Sequence, residues 1–254
     1  MARDTLTFRI LRWLLLVALA GVALQLFFIG RIALMAVVDP SSTTFERSEA
    51  WRIVTEKGAL RWRQQWVPYA QISDHLKRAV IASEDGDFIN HDGVEWEAIE
   101  KAWQKNTQAE ELAAKRAART PPGKPAPATK APKIVGGSTI TQQLAKNLLL
   151  SGERTLLRKG QEFVLTMALE LLLSKQRILE IYLNHVEWGE GVFGAEAAAQ
   201  HYYRKPASKL SAYEAARLAV MLPRPKYFEK VPNSGYLSNR AGTIMARMGD
   251  AVLP

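Results

Sequence analysis

Adjacent carboxylates and a cluster of cations are the side chains of this sequence best suited to chemistry. Ser83-Glu84-Asp85-Gly86-Asp87-Phe88-Ile89-Asn90-His91-Asp92-Gly93 gathers acids around a glycine and an aromatic. Acids in loops commonly form solvated turns; the active alternative is one carboxylate held as a general base while its neighbours orient it. His91 stands alone there, and a metal site needs more ligands than this patch supplies. Further on, Arg154, Arg158 and Lys159 precede Glu162, with Arg158 at i−4 and Lys159 at i−3 on its helix face. Surface ion pairing, worth about 0.3–0.5 kcal/mol, is the plain account. Lys146 adds a fourth cation. Four exceed the need of one carboxylate, and that excess suits a diphosphate.

The segment 136–147, GGSTITQQLAKN, links these groups. Its paired glycines give a turn with wide dihedral freedom. Thr139 and Gln142 have the spacing of a capping box. Gln143, Lys146 and Asn147 then share one helical face. A loop feeding a helix N-terminus, with a lysine one turn in, is suited to an anion; a capped surface helix is the plainer alternative. Gly189-Glu190-Gly191-Val192-Phe193-Gly194 has the formal G-x-G-x-x-G pattern. It follows a helical rather than a strand pattern and no βαβ unit surrounds it, so a tight turn between helices is expected instead of a dinucleotide site.

The elements that must position these residues read as helices. Ser73 caps one carrying Leu76, Ala79 and Val80, and Val94, Ala98, Ile99, Ala102 and Trp103 mark another. The run 163–173, FVLTMALELLL, is apolar almost all round, which predicts a helix buried in the middle of the domain. Helical patterns continue over 175–184, 196–203 and 240–248, and Ser211 with Glu214 opens another helix that Pro223 ends. No alternating strand pattern of useful length is visible. The domain reads as all-α.

At 254 residues the chain holds one sizeable domain plus an appendage. It has no cysteine, which excludes a disulfide framework, a thiolate metal site and a cysteine nucleophile. Residues 13–30, WLLLVALAGVALQLFFIG, contain Gln25 as their only polar side chain. That length meets the roughly 17–25 residues of a spanning helix. It exceeds a typical signal-peptide core and no A-x-A cleavage site adjoins it, so an uncleaved anchor is expected. Arg3, Arg9 and Arg12 precede the run and put the N-terminus in the cytoplasm by the positive-inside rule. The remainder then lies outside. The expected division is a cytoplasmic tail 1–12, an anchor 13–38, a juxtamembrane linker and entry to the domain 39–67, and a catalytic domain 68–254 with a mobile proline-rich insertion near 107–134. Six of the cations behind the net charge of +9 lie in the acid-free stretch 112–134. Outside the cytoplasm such charge suits anionic membrane lipids rather than nucleic acid.

Together, EDGDF-INHDG, GGSTITQQLAKN, RKGQE, KQRILEIYLN and EAARLAVMLPRP occur in the order of the five motifs of the peptidoglycan glycosyltransferases, glycosyltransferase family 51, and resemble them over roughly 68–248. The single anchor with no transpeptidase domain is similar to the monofunctional members. The resemblance implies a lysozyme-like fold with a head lobe and a membrane-dipping jaw lobe. It implies polymerisation of lipid II: the 4-hydroxyl of one N-acetylglucosamine attacks the anomeric carbon of the growing strand, and undecaprenyl diphosphate leaves with inversion to a β-1,4 link. By motif match Glu84 is the base with Asp85 beside it, and Glu162 is the second carboxylate, near the leaving group or a divalent ion. Lys146, Arg154, Arg158 and Lys159 hold the donor phosphates; Ser138, Gln143 and Asn184 shape the site. The implied cofactors are Mg²⁺ or Mn²⁺ and nothing organic; the implied partners are lipid II, the growing glycan strand, membrane lipids and other cell-wall synthesis proteins, with no nucleic acid. Glu95 stands where the family usually has aspartate, and the proline-rich insertion is longer than usual.

Overall fold

The computed structural model describes residues 2–97, 100, 103–104, 107–109, 111–112, 138–150, 152 and 155–254. The chain enters through α1 (Ala2–Leu34), whose stretch Thr7–Leu34 is long and apolar enough to cross a membrane. The segment 39–67, expected as a linker, instead contains a helix, α2 (Thr44–Lys57), opened by a reciprocal capping box between Thr43 and Glu46. Glu46 is buried and also accepts from Gln64 at 2.8 Å. A residue with that many partners anchors the helix to the domain.

α3 (Asp74–Glu84) buries Leu76, Ala79 and Val80, as its spacing predicts, and packs against α8 (Ala212–Met221) and α10 (Gly235–Arg247). α4 (Ile140–Leu149) lies on α5 (Leu156–Leu172), which also touches α1. α6 (Lys175–His185) and the alanine-rich α7 (Ala195–Tyr203) complete the centre, where Tyr182, Trp188, Phe88 and Phe193 are fully buried. α9 (Pro225–Lys230) follows α8 directly. The all-α expectation holds.

Two features differ from the expectation. A small sheet of order β1-β3-β2 joins β1 (Arg63–Gln64), β2 (Glu187–Gly189) and β3 (Val192–Phe193). β2 and β3 form the turn predicted at the G-x-G-x-x-G pattern. Gly191 has φ +69°, and a Cβ on it would stand 2.0 Å from the Arg61 carbonyl oxygen, so the turn admits only glycine. Second, α5 is not buried all round: Leu171 is 84% exposed, with Phe163 and Val164 also outward. Glu162, Leu165, Thr166 and Leu169 are buried, and Ala168 and Leu172 pack against the core. Apolar composition does not distinguish a face meant for the core from one meant for lipid.

Candidate active site

α3 ends at Glu84, which delivers the two acids to the mouth of the next loop. Glu84 is half-buried. Its Oε2 accepts from Gln143 Nε2 at 3.0 Å and its Oε1 accepts from the Ser83 hydroxyl at 3.3 Å. The Gln143 amide is itself oriented, because the buried Tyr182 hydroxyl donates to its Oε1 at 3.0 Å. Burial, helped by the charges of Glu84 and Asp85, pushes the Tyr182 phenol well up, so it remains a donor. Burial likewise raises the pKa of Glu84; the bonds from Gln143 and Ser83 oppose this, and the charge of Asp85 adds to it. The outcome is a carboxylate that holds a proton more tightly than a free glutamate, as a general base requires.

Asp85 has a different part. It is buried, with Oδ2 accepting the Ile140 N–H at 2.9 Å and Oδ1 accepting from His91 Nε2 at 2.7 Å. Its carboxylate therefore sits on the N-terminus of α4 and fastens the acidic loop to the helix that carries Gln143 and Lys146. His91 accepts the Gly93 N–H through Nδ1 at 3.0 Å, which leaves Nε2 as the donor to Asp85. Burial disfavours the charged imidazole, but Asp85 outweighs it and raises the pKa of His91. The loop closes where the Thr139 hydroxyl donates to the Gly93 carbonyl at 2.7 Å. At Gly93, φ is +81° and a Cβ would meet Thr166 Cγ2 at 2.7 Å.

The capping box predicted for α4 is present: Thr139 Oγ1 accepts from the Gln142 N–H at 3.1 Å and Gln142 Oε1 accepts from the Thr139 N–H at 3.3 Å. It turns the predicted face of Gln143, Lys146 and Asn147 into a cleft of about 660 Å³. Arg158, Lys159 and Glu162 line the same cleft from the first turns of α5, and Ser138 lies at its edge. Glu162 is buried; Arg158 Nη1 donates to its Oε2 at 2.8 Å, and Lys159 Nζ donates to its Oε1. One buried carboxylate thus holds two cations on the cleft wall. Glu84 stands one side chain behind that wall, reached through Gln143.

Not every expected residue fits this picture. Asn184 does not open on the cleft: it is fully buried, with Oδ1 accepting the Val67 N–H at 2.9 Å and Nδ2 donating to the Val67 carbonyl at 3.0 Å. It saturates the backbone of the segment before α3, a structural part. Arg154 lies outside the described residues, as do residues 113–137 of the insertion and its junction. For a divalent ion the cleft offers the carboxylates of Glu162 and Glu187. Among the described residues no three His, Asp or Glu side chains converge, and both oxygens of Glu162 already face cations.

Sequence reading also missed part of the wall. Phe45 and Ser48 of α2, Glu187 of β2, and Leu222, Pro223 and Pro225 close the side opposite the cations' helix. Only the last three lay within a quoted motif. Glu187 is buried, 3.3 Å from Lys226 Nζ, and burial pushes its pKa up to about 7; Lys226 opposes the shift, and the charges of Glu49 and Glu190 add to it. An acid in the otherwise apolar run of 186–188 was the available signal.

A family model described as Transglycosylase matches residues 52–115 and 126–249 of the chain. A protein of Burkholderia thailandensis named biosynthetic peptidoglycan transglycosylase is 53% identical over 235 residues, covering 92% of this chain and 84% of its own length. Proteins of the same name from Burkholderia pseudomallei and Paraburkholderia phytofirmans are 52% and 49% identical, each over 96% of this chain, and are themselves covered to 88% and 94%.

Proposed function

The chain belongs to the transglycosylase family and is a peptidoglycan glycosyltransferase of lysozyme-like fold; from that premise we propose that it polymerises lipid II. The observation that carries the reading is a base oriented by Gln143, the residue that shares a cleft with Lys146, Arg158 and Lys159. In the proposed step Glu84 takes the proton of the acceptor 4-hydroxyl, and that oxygen bonds to the anomeric carbon of the growing strand. The bond from that carbon to the diphosphate breaks, its electron pair leaves on the phosphate oxygen, and the configuration inverts to β. A sugar alcohol needs such a base, whereas a diphosphate leaves without protonation once cations neutralise it.

Lys146, Arg158, Lys159 and, by motif, Arg154 are the proposed phosphate ligands. Glu162 keeps Arg158 and Lys159 aimed at the cleft. Neutralisation is assigned to these cations, and the chelator arm below tests whether Mg²⁺ or Mn²⁺ is needed as well. The apolar α1 and the flanking arginines support a single-pass anchor in the cytoplasmic membrane with the N-terminus inside and the catalytic domain outside.

A glycan-cleaving enzyme on the same fold would need a carboxylic acid to protonate a sugar oxygen and would gain nothing from the cation cluster. A non-catalytic scaffold would need neither. The deciding experiment incubates the purified full-length chain with labelled lipid II, with and without chelator, and resolves glycan strands on a gel. Strands are expected in both arms, and no fragments are expected from finished cell wall. Released fragments without strands would overturn the assignment; a rate lost to chelator and restored by Mg²⁺ or Mn²⁺ would overturn neutralisation by side chains alone.

A further inference from the structure

Gln25 is the only polar side chain in the apolar run 13–30, and it is satisfied by the catalytic domain rather than by lipid or solvent. Its Nε2 donates to Gln161 Oε1 at 2.8 Å, and Gln161 Nε2 donates back to Gln25 Oε1 at 2.9 Å. The two amides close a pair of hydrogen bonds between α1 and α5. Along α1 and the residue that follows it, Gln25, Phe28, Ile32 and Met35 recur at spacings of three, four and three, the pattern of a single packing seam. Ile32 and Met35 are buried in the core of the domain and Phe28 packs against it, while Leu24, Leu26 and Phe27 face outward. Past the helix, Arg177 Nε donates to the Met35 carbonyl at 2.8 Å and its Nη2 pairs with Asp39 at 2.7 Å. The outer end of the anchor is thus packed on the domain along this seam.

The pair also fixes α5 along the anchor. Gln25 precedes Leu34, the outer end of the apolar stretch, by nine residues, about 13.5 Å along a helix. Gln161 is therefore held against the membrane-crossing stretch, on a helix whose Leu157 and Leu171 are 86% and 84% exposed. Arg158 and Lys159 precede Gln161 by three and two residues, within about 5 Å along the same axis. Where water is scarce, two amides satisfy each other more readily than either finds another partner.

We propose that the Gln25–Gln161 amide pair is a positioning device that locks α5 to the anchor, so that Arg158 and Lys159 keep one place relative to the bilayer in which a lipid-linked diphosphate is presented. The purpose of the pair rests on the lipid II reading above; its existence as a lock does not.

The chain has no cysteine, so Leu19→Cys and Leu157→Cys carry nitroxide labels without background. Full-length protein in liposomes is compared with Gln25→Leu, Gln161→Leu and the double variant, which leaves no amide unpaired and so guards against simple misfolding. The parent is expected to give a narrow distance distribution and one depth for the label at 157; each variant is expected to broaden the first and shift the second. For lipid II in bilayers KM rises about tenfold or more in the variants, while kcat with a short-chain lipid II analogue in detergent is unchanged. Unaltered distances and depth in the double variant would overturn the lock. Altered distances with an unaltered KM would overturn its proposed purpose. A parent that fails to turn over lipid II would instead sink the substrate reading and leave the distances to decide the lock.

Discussion

At Glu84 two opposing influences set the proton affinity: burial raises it, and hydrogen bonds from Gln143 and Ser83 lower it. Removing a donor to the charged form raises the pKa further. The acidic limb of the pH–rate profile is therefore expected to move to higher pH in Gln143→Ala, and by less in Tyr182→Phe, where the amide remains but loses its orienting hydroxyl. A limb that stays in place in both would remove Gln143 from its role. Glu187 supports a test of sign. Its folded pKa, about 7, exceeds the value of 4.5 for a free glutamate, so its contribution to stability is intact below pH 4.5 and is lost as pH rises towards 7. Glu187→Gln is expected to match the parent in denaturant unfolding at pH 4.5 and to exceed it by about 2 kcal/mol at pH 8. Equal stability at both pH values would refute the buried, weakened acid.

The helix that carries Gln143 and Lys146 was legible in the sequence because its information is local. Thr139, Gln142 and the apolar spacing behind them suffice to start α4 and choose its face. The same holds for the pairing of Glu162 with Arg158 and Lys159, which is fixed by helical geometry alone. What escaped was set at long range. Asn184 ends the motif KQRILEIYLN, yet only the fold reveals that Val67 occupies both ends of its amide. The wall formed by Phe45 and Ser48 depends on α2, whose capping box at Thr43 and Glu46 precedes no clear apolar stripe. The sheet escaped because strands of two or three residues carry no periodicity. Thr139→Ala is expected to cost about 1 kcal/mol in unfolding stability from the lost cap. It also frees the Gly93 carbonyl, so kcat should fall more than the stability loss explains; a variant with unchanged kcat would show that the acidic loop holds itself.

Over the whole molecule the charge and the apolar surface point the same way. The chain carries +9, six of those cations fall within 112–134, and the outward faces of α1 and α5 are apolar. Deleting 120–132 is expected to weaken binding to anionic vesicles several-fold at low salt, with a smaller effect at high salt where charges are screened. Vesicle affinity and lipid II turnover both unchanged by the deletion would mean that the segment serves neither. The anchor itself was legible from composition, but its docking on α5 was not, since a lone Gln25 does not name its partner. The account as a whole turns on whether Glu84 is a base rather than a structural acid. The most direct measurement is single-turnover polymerisation of lipid II by Glu84→Gln, alongside its affinity for the same substrate. Affinity within about threefold of the parent and a rate lower by about 10² or more are predicted, since an amide keeps the bond to Gln143 but cannot take the proton. A rate within tenfold of the parent would contradict the assignment.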